Sequence, residues 1–187
     1  EVEAAVRALL APRALVWKND TGARDLEQLP RSVEVAWGEP GTELAVQERL
    51  PDGRVLDFIA PLAEGQKTGW FFDQTANRAR LTQLMAPGAR VLDVCSYVGA
   101  WGVTAGKAGA SAVACIDSSQ RALDYVARNA TANSVAIEAI KADAFDALEA
   151  LLASGRRFDV IVLDPPAFIK RKKELAQGQA AYRKLNQ

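Results

Sequence analysis

Apolar positions recur along the chain with two different periods, and the period changes partway. From about residue 75, stretches with helical spacing alternate with short apolar runs. TANRARLTQLMA (75–86) has the spacing of a helix and is stopped by Pro87-Gly88. ARVLDV (89–94) reads as a strand, followed by a glycine-containing turn and a helix from Gly99 to about Ala110. SAVACID (111–117) is a second strand, and SSQRALDYVARNATAN (118–133) a helix capped by Ser118 or Ser119. A third strand is expected at 135–140, a helix at 143–153 and a fourth strand at FDVIVLD (158–164). Strands alternating with helices predict an α/β fold whose parallel sheet is wound by right-handed crossovers.

The first 66 residues follow another pattern. VEAAVRALLA has helical spacing and ALVWK is a short strand candidate. ELAVQERL and RVLDFIA flank Pro51-Asp52-Gly53, and Asp-Gly between alternating apolar runs signals a hairpin. The expected organisation is a small α+β hairpin module over 1–66 and a second domain over 67–187.

Composition narrows the chemistry. With 187 residues, 49% of them apolar, the chain can bury a core. It contains no histidine, which removes Ser-His-Asp and Cys-His sites, histidine bases and imidazole-ligated zinc; no metal site is expected. Two cysteines, Cys95 and Cys115, are too few for a disulfide framework, and both fall in or at the end of apolar strands, as buried structural thiols do. No apolar run is long enough for a membrane helix and no signal peptide is present, so a reducing, cytoplasmic location and no membrane partner are expected. The net charge of zero conceals an acidic first third and a basic end, with Lys170-Arg171-Lys172-Lys173 in a row. That run is either a solvated helix start or a phosphate-contacting patch. The opening Glu1 and the helix-like final AAYRKLNQ read as part of something longer.

Candidate chemistry gathers at the strand ends. In Asp93-Val94-Cys95-Ser96-Tyr97-Val98-Gly99-Ala100-Trp101-Gly102, Gly99 and Gly102 occupy the second and third positions of a nucleotide-binding G-x-G-x-x-G turn, and Tyr97 the first. Asp117 ends the second strand, where doubly wound nucleotide sites place a carboxylate for ribose hydroxyls. Asp93 would repel a pyrophosphate but suits an ammonium or sulfonium, which points to S-adenosylmethionine rather than NAD. Asp143 after the third strand could accept from an adenine amino group or cap the following helix. Asp164-Pro165-Pro166-Ala167-Phe168 ends the fourth strand, where two prolines force the chain out of the sheet at its ligand-binding edge.

These motifs, with Gln66-Lys67-Thr68-Gly69-Trp70-Phe71-Phe72-Asp73-Gln74 and Asn77-Arg78, resemble those of the class I S-adenosylmethionine-dependent methyltransferases. More narrowly, they are similar to the bacterial 23S rRNA large-subunit methyltransferases that make 5-methylcytosine. The resemblance covers roughly residues 60–187. It implies a Rossmann-like sheet, here about four parallel strands of a usual seven. Lys67, Thr68, Gly69, Phe71, Asn77 and Arg78 would help wall the cofactor pocket. Asp93, Ser96, Tyr97 and Gly99 would surround the methionine part, Asp117 the ribose, and Asp143 with Ala144 the adenine. Asp164, Pro165, Pro166 and Phe168 would position the target base, while Ala167 departs from the polar residue common there. S-adenosylhomocysteine would be the product and ribosomal RNA the partner. Methylation at carbon 5 of cytosine needs a cysteine nucleophile, which the family carries on a later strand, beyond residue 187. Three alternatives share parts of the pattern: a guanine-N7 rRNA methyltransferase, a non-catalytic RNA-binding or assembly module, and, disfavoured by Asp93 and the Asp-Pro-Pro turn, an NAD-dependent oxidoreductase. A sheet of four strands also leaves an apolar edge at which a second copy would pair as a homodimer.

Overall fold

In the computed structural model, which describes residues 1–62, 69–169 and 174–186, the chain divides into two compact units. One comprises Glu1–Leu44 with Ala60–Trp70, the other Ala45–Ile59 with Phe71–Gln187. The units therefore do not divide at residue 66, because most of the hairpin belongs with the second.

In the first unit, helix α1 (Val2–Leu10) precedes strand β1 (Leu15–Asn19), a short helix α2 (Ala23–Leu26) and strand β2 (Ser32–Trp37). β1 and β2 pair antiparallel, with an irregularity between Leu15 and Val16. Trp17 Nε1 donates to Glu3 at 2.7 Å, and the Arg7 guanidinium lies 4.4 Å from the Trp37 ring centroid. β2 was not expected from the sequence, although Val33 and Val35 around Glu34 carry a strand's alternation.

The hairpin consists of β3 (Glu43–Arg49) and β4 (Val55–Pro61), joined through Pro51-Asp52-Gly53 as expected. The Leu50 amide donates to Arg54 O at 2.8 Å and the Arg54 amide to Asp52 Oδ1 at 3.0 Å, which closes the turn. Leu56 and Phe58 are buried while Asp57 between them is exposed, the period of a strand with one face in a core.

The rest of the second unit alternates helix and strand: α3 (Thr75–Leu84), β5 (Arg90–Val94), α4 (Ala100–Lys107), β6 (Ala112–Asp117), α5 (Gln120–Ala132), β7 (Glu138–Lys141), α6 (Ala144–Ala153), β8 (Val160–Leu163) and α7 (Leu175–Leu185). Strands β5 to β8 form one parallel sheet in the order β7-β6-β5-β8. Alternation along β5 and β6 sorts the core into two layers. Val91, Val113 and Cys115 pack with Ala105, Leu123 and Val126 on one face. Leu92, Val94, Ala114 and Ile116 pack with Ala147 on the other. Asp93 shares the face of Val91, so its carboxyl points into the core beneath α4.

The third strand begins at Glu138 rather than at 135. α5 stops with Ser134 at φ 56° and the Val135 amide bonded back to Ala130 O at 2.9 Å, a left-handed helix stop that uses up those residues. The fourth strand ends at Leu163, one residue before the Asp164-Pro165-Pro166 exit.

Candidate active site

The carboxyl ends of β5 and β6 build the centre of the site. After β5 the backbone takes left-handed values at Cys95 (φ 63°), Tyr97 (φ 51°) and Gly99 (φ 78°). The two non-glycine residues hold conformations that cost of order 1–3 kcal/mol each, strain of a kind that clusters at functional sites. Hydrogen bonds over-determine the loop: Ser96 N to Ile116 O at 2.9 Å, Gly99 N to Ser96 O at 2.8 Å and Tyr97 N to Asp117 Oδ2 at 2.8 Å. At Gly99 a Cβ would stand 3.1 Å from both γ-carbons of Val126, in a backbone conformation side chains rarely adopt, so both packing and φ select glycine.

Asp117 therefore anchors the loop: Oδ2 accepts from Tyr97, while Oδ1 accepts from Ser119 N at 2.9 Å. Asp93 is fully buried. Its Oδ2 accepts from Gly102 N at 2.9 Å and from the Cys115 thiol at 3.8 Å. Among the described residues its Oδ1 has no hydrogen-bond partner, and neither does the buried Ser96 Oγ. Burial pushes the Asp93 carboxyl up to about 7, with Asp164 and Asp117 adding to the rise. Cys95 is pushed up to about 11 by burial and then by the carboxylates of Asp117, Asp93, Asp143 and Asp164. One thiol thus feels all four predicted carboxylates. Cys115 is raised well above the ordinary thiol range, mainly by burial. Neither thiol is poised as a nucleophile.

Asp143 caps α6, its Oδ1 accepting from Phe145 N at 2.9 Å, and Ala144 opens that helix. The capping alternative is thus present; the side chain remains exposed. Asp164, after β8, is exposed. Past the prolines, the Phe168 ring lies 6.2 Å from Phe145 and 4.8 Å from Tyr182, centroid to centroid.

Phe71 meets the loop directly, its ring edge-on to Tyr97 at 6.0 Å. Arg78, expected to wall the cofactor pocket, is engaged in a buried ion pair. Its Nε donates to Glu48 Oε2 at 2.9 Å and Nη2 to Glu48 Oε1, and Nη2 also donates to Phe71 O at 3.2 Å. It reaches the site through the Phe71 backbone. Asn77 is exposed and donates to Gln74 Oε1 at 2.8 Å. Gly69 is buried in the first unit. Lys67, Thr68 and the basic run 170–173 lie outside the described residues.

Sequence reasoning missed several supporting residues. Asn129 on α5 is completely buried; its Oδ1 accepts from Ile59 N at 2.8 Å, and its Nδ2 donates to Ile59 O and to Val98 O, each at 3.0 Å. Asn133, one turn on, accepts from Asp57 N at 3.0 Å and donates to Asp57 O at 2.7 Å. Glu48 and Tyr182 were missed as well. The one available signal was the pair of asparagines four apart on an otherwise apolar helix face.

The family model described as "Conserved hypothetical protein 95" matches residues 71–182. The "Putative ribosomal RNA large subunit methyltransferase MJ1653" of Methanocaldococcus jannaschii is 40% identical over 161 residues, which cover 84% of this chain and 40% of that protein. The "Ribosomal RNA large subunit methyltransferase I" of Aeromonas salmonicida is 34% identical over 185 residues, 97% of this chain and 46% of that one. Among solved structures, "SMU.776, a putative methyltransferase complexed with SAH" superposes with a TM-score of 0.64 at 27% identity, covering 76% of this chain and 37% of that one. The chain spans less than half the length of these relatives.

Proposed function

Because the chain belongs to the conserved hypothetical protein 95 family, we propose that it is the cofactor-binding part of an S-adenosylmethionine-dependent methyltransferase whose substrate is a base of large-subunit ribosomal RNA. The observation that carries the reading is the strained loop after β5, fixed by Asp117 at Tyr97 N and underlain by Asp93 at Gly102 N, with Asp143 and Asp164 following the carboxyl ends of β7 and β8. Such a site repels phosphates and suits a ligand with an ammonium, a sulfonium and a ribose diol. The relatives named as rRNA methyltransferases, and a similar structure solved with S-adenosylhomocysteine, support the same choice.

The residues present fit this cofactor. Asp93 Oδ1 and Ser96 Oγ are buried polar atoms that lack partners among the described residues, beside the loop that would hold the methionine part. Asp117 keeps lone pairs for ribose hydroxyls while its two amide bonds fix its orientation. Asp143 and Ala144 would meet the adenine, and Phe71 and Tyr97 would wall the pocket. When bound, the cofactor supplies an electrophilic methyl group on sulfur. The chain's own contribution is to orient cofactor and base and to exclude water between them. Asp164, Pro165, Pro166 and Phe168 would hold the target base against that methyl group. A cytoplasmic location, and pairing of two copies at the free β8 edge where Ile161 is exposed, accompany this reading.

For the target atom, we favour carbon 5 of cytosine, supported by the Asp73-Gln74 stretch of the resemblance. That chemistry needs a thiolate on carbon 6, and neither Cys95 nor Cys115 can supply it, so the nucleophile would come from outside this chain. The same thiol properties favour a second reading, guanine N7, whose own lone pair attacks the methyl group so that no nucleophile from the protein is needed.

The test is calorimetric titration of the full-length protein with S-adenosylhomocysteine, with NAD and an Asp117→Ala variant as controls. Micromolar binding that is lost in a folded Asp117→Ala variant and absent for NAD is expected. A folded protein that ignores S-adenosylhomocysteine would refute the proposal. Nucleoside analysis of rRNA methylated by the active protein then separates 5-methylcytosine from 7-methylguanine.

A further inference from the structure

We infer that Tyr182 is a positioning residue that fixes how Phe168 is presented to the target base; the inference rests on the methyltransferase reading above. The segment leaving β8 is poor in hydrogen-bond donors, because Pro165 and Pro166 have no backbone N–H. Between Asp164 and Phe168 the only remaining amides are those of Ala167 and Phe168. The Phe168 amide donates to the Tyr182 hydroxyl at 3.2 Å. The Tyr182 ring also stands edge-on to Phe168, 4.8 Å between centroids at 62°. One side chain of α7 thus grips both the backbone and the ring of the same residue.

The helix is placed to do this. Gly178 is buried one turn before Tyr182, and a Cβ there would fall 2.2 Å from Ile169 Cγ1 and 3.1 Å from Phe168 O. Only glycine lets α7 come so close to the segment. The Phe168 ring also neighbours Phe145, 6.2 Å between centroids. Phe145 is the residue whose amide binds Asp143, the predicted adenine acceptor. Pairwise contacts thus lead from Asp143, at the expected adenine position, through Phe145 to Phe168, at the expected base position, and on to Tyr182. Edge-on aromatic contacts prefer defined angles, so removing the hydroxyl loosens the backbone while leaving the ring to pack.

The experiment compares Tyr182→Phe and Gly178→Ala with wild type in the full-length protein. Two readouts are used: amide hydrogen exchange at Phe168 and steady-state methyl transfer to large-subunit rRNA. Losing one net hydrogen bond should speed exchange at Phe168 and lower kcat by about threefold to tenfold in Tyr182→Phe. The KM for S-adenosylmethionine and exchange in β5 should stay within about twofold. A purely structural role would lower kcat only in proportion to the folded protein lost, so kcat expressed per S-adenosylhomocysteine-binding site titrated in each variant would return to the wild-type value, whereas a positioning role keeps it low. Gly178→Ala, which displaces the helix without touching the hydroxyl, should move the same two quantities in the same direction. Unchanged Phe168 exchange in Tyr182→Phe, or unchanged kcat with active wild type, overturns the inference. A wild type that binds no S-adenosylhomocysteine and transfers no methyl group overturns the functional reading itself.

Discussion

The ion pair between Glu48 and Arg78 allows a test in which sign and size both follow from burial. The Arg78 and Glu48 side chains are only 2% and 7% exposed. Thr75 Oγ1 donates to Glu48 Oε1 at 2.7 Å, and Arg78 also serves Phe71 O. Truncating Glu48 to alanine leaves a guanidinium in the interior without its counter-charge, and breaking such a pair costs about 3–5 kcal/mol. Replacing both partners by apolar residues of similar volume removes two desolvation penalties along with one attraction, so Glu48→Leu/Arg78→Met should cost only about 1 kcal/mol. A double-mutant cycle of Glu48→Leu, Arg78→Met and the two together should then give a coupling of about 3 kcal/mol or more. Urea unfolding followed by far-ultraviolet circular dichroism measures each corner, with an unchanged slope confirming that the unfolded states are comparable. A cost below about 1 kcal/mol for Glu48→Ala, or additive single and double variants, would refute the argument. The pair would then be solvated in solution rather than buried.

Two further predictions concern ionisation. The Asp93 carboxyl keeps its proton up to about 7 in the folded protein but ionises near 3.8 when unfolded, so between those values the native state binds the extra proton. Stability should therefore fall as pH rises through that window, by up to ~4 kcal/mol, and Asp93→Asn should abolish the fall and be the more stable protein at pH ~8; equal pH profiles for the two would contradict the assignment. With Cys95 raised from 9.0 to about 11, its thiolate fraction at neutral pH is about a hundredfold below that of a free thiol. Native protein should accordingly resist iodoacetamide, and alkylation at the rate of a model peptide would show that the thiol is not held as described.

The parallel sheet was legible because its two central strands, β5 and β6, are buried on both faces, so stretches such as Val113–Ile116 stand out against the helical spacing around them. The carboxylates were legible because strand ends are where an open α/β sheet places ligands. What escaped is what depends on partners distant in sequence. Asn129 reads as an ordinary polar residue of a helix until the strand 70 positions earlier is beside it. Arg78 lies in a stretch that suggested a cofactor wall, and only the fold reveals that Glu48, 30 residues upstream, takes its charge. Tyr182 likewise acquires meaning only when α7 turns back on the segment after β8. The start of β7 was misjudged for a local reason, since Val135 and Ile137 look like strand residues while the left-handed Ser134 still belongs to the stop of α5.

The paired asparagines of α5 have one more consequence. A strand of a two-stranded hairpin has a second edge, and a bare row of amides and carbonyls there recruits strands from other molecules. Asp57 and Ile59 each offer both groups, and Asn133 and Asn129 occupy all four with their own side-chain amides. A helix is thereby made to imitate a neighbouring strand, two residues of β4 for every turn of α5. The same contacts that join hairpin to helix thus close this stretch of β4 to strand addition from another molecule once α5 has packed beside it.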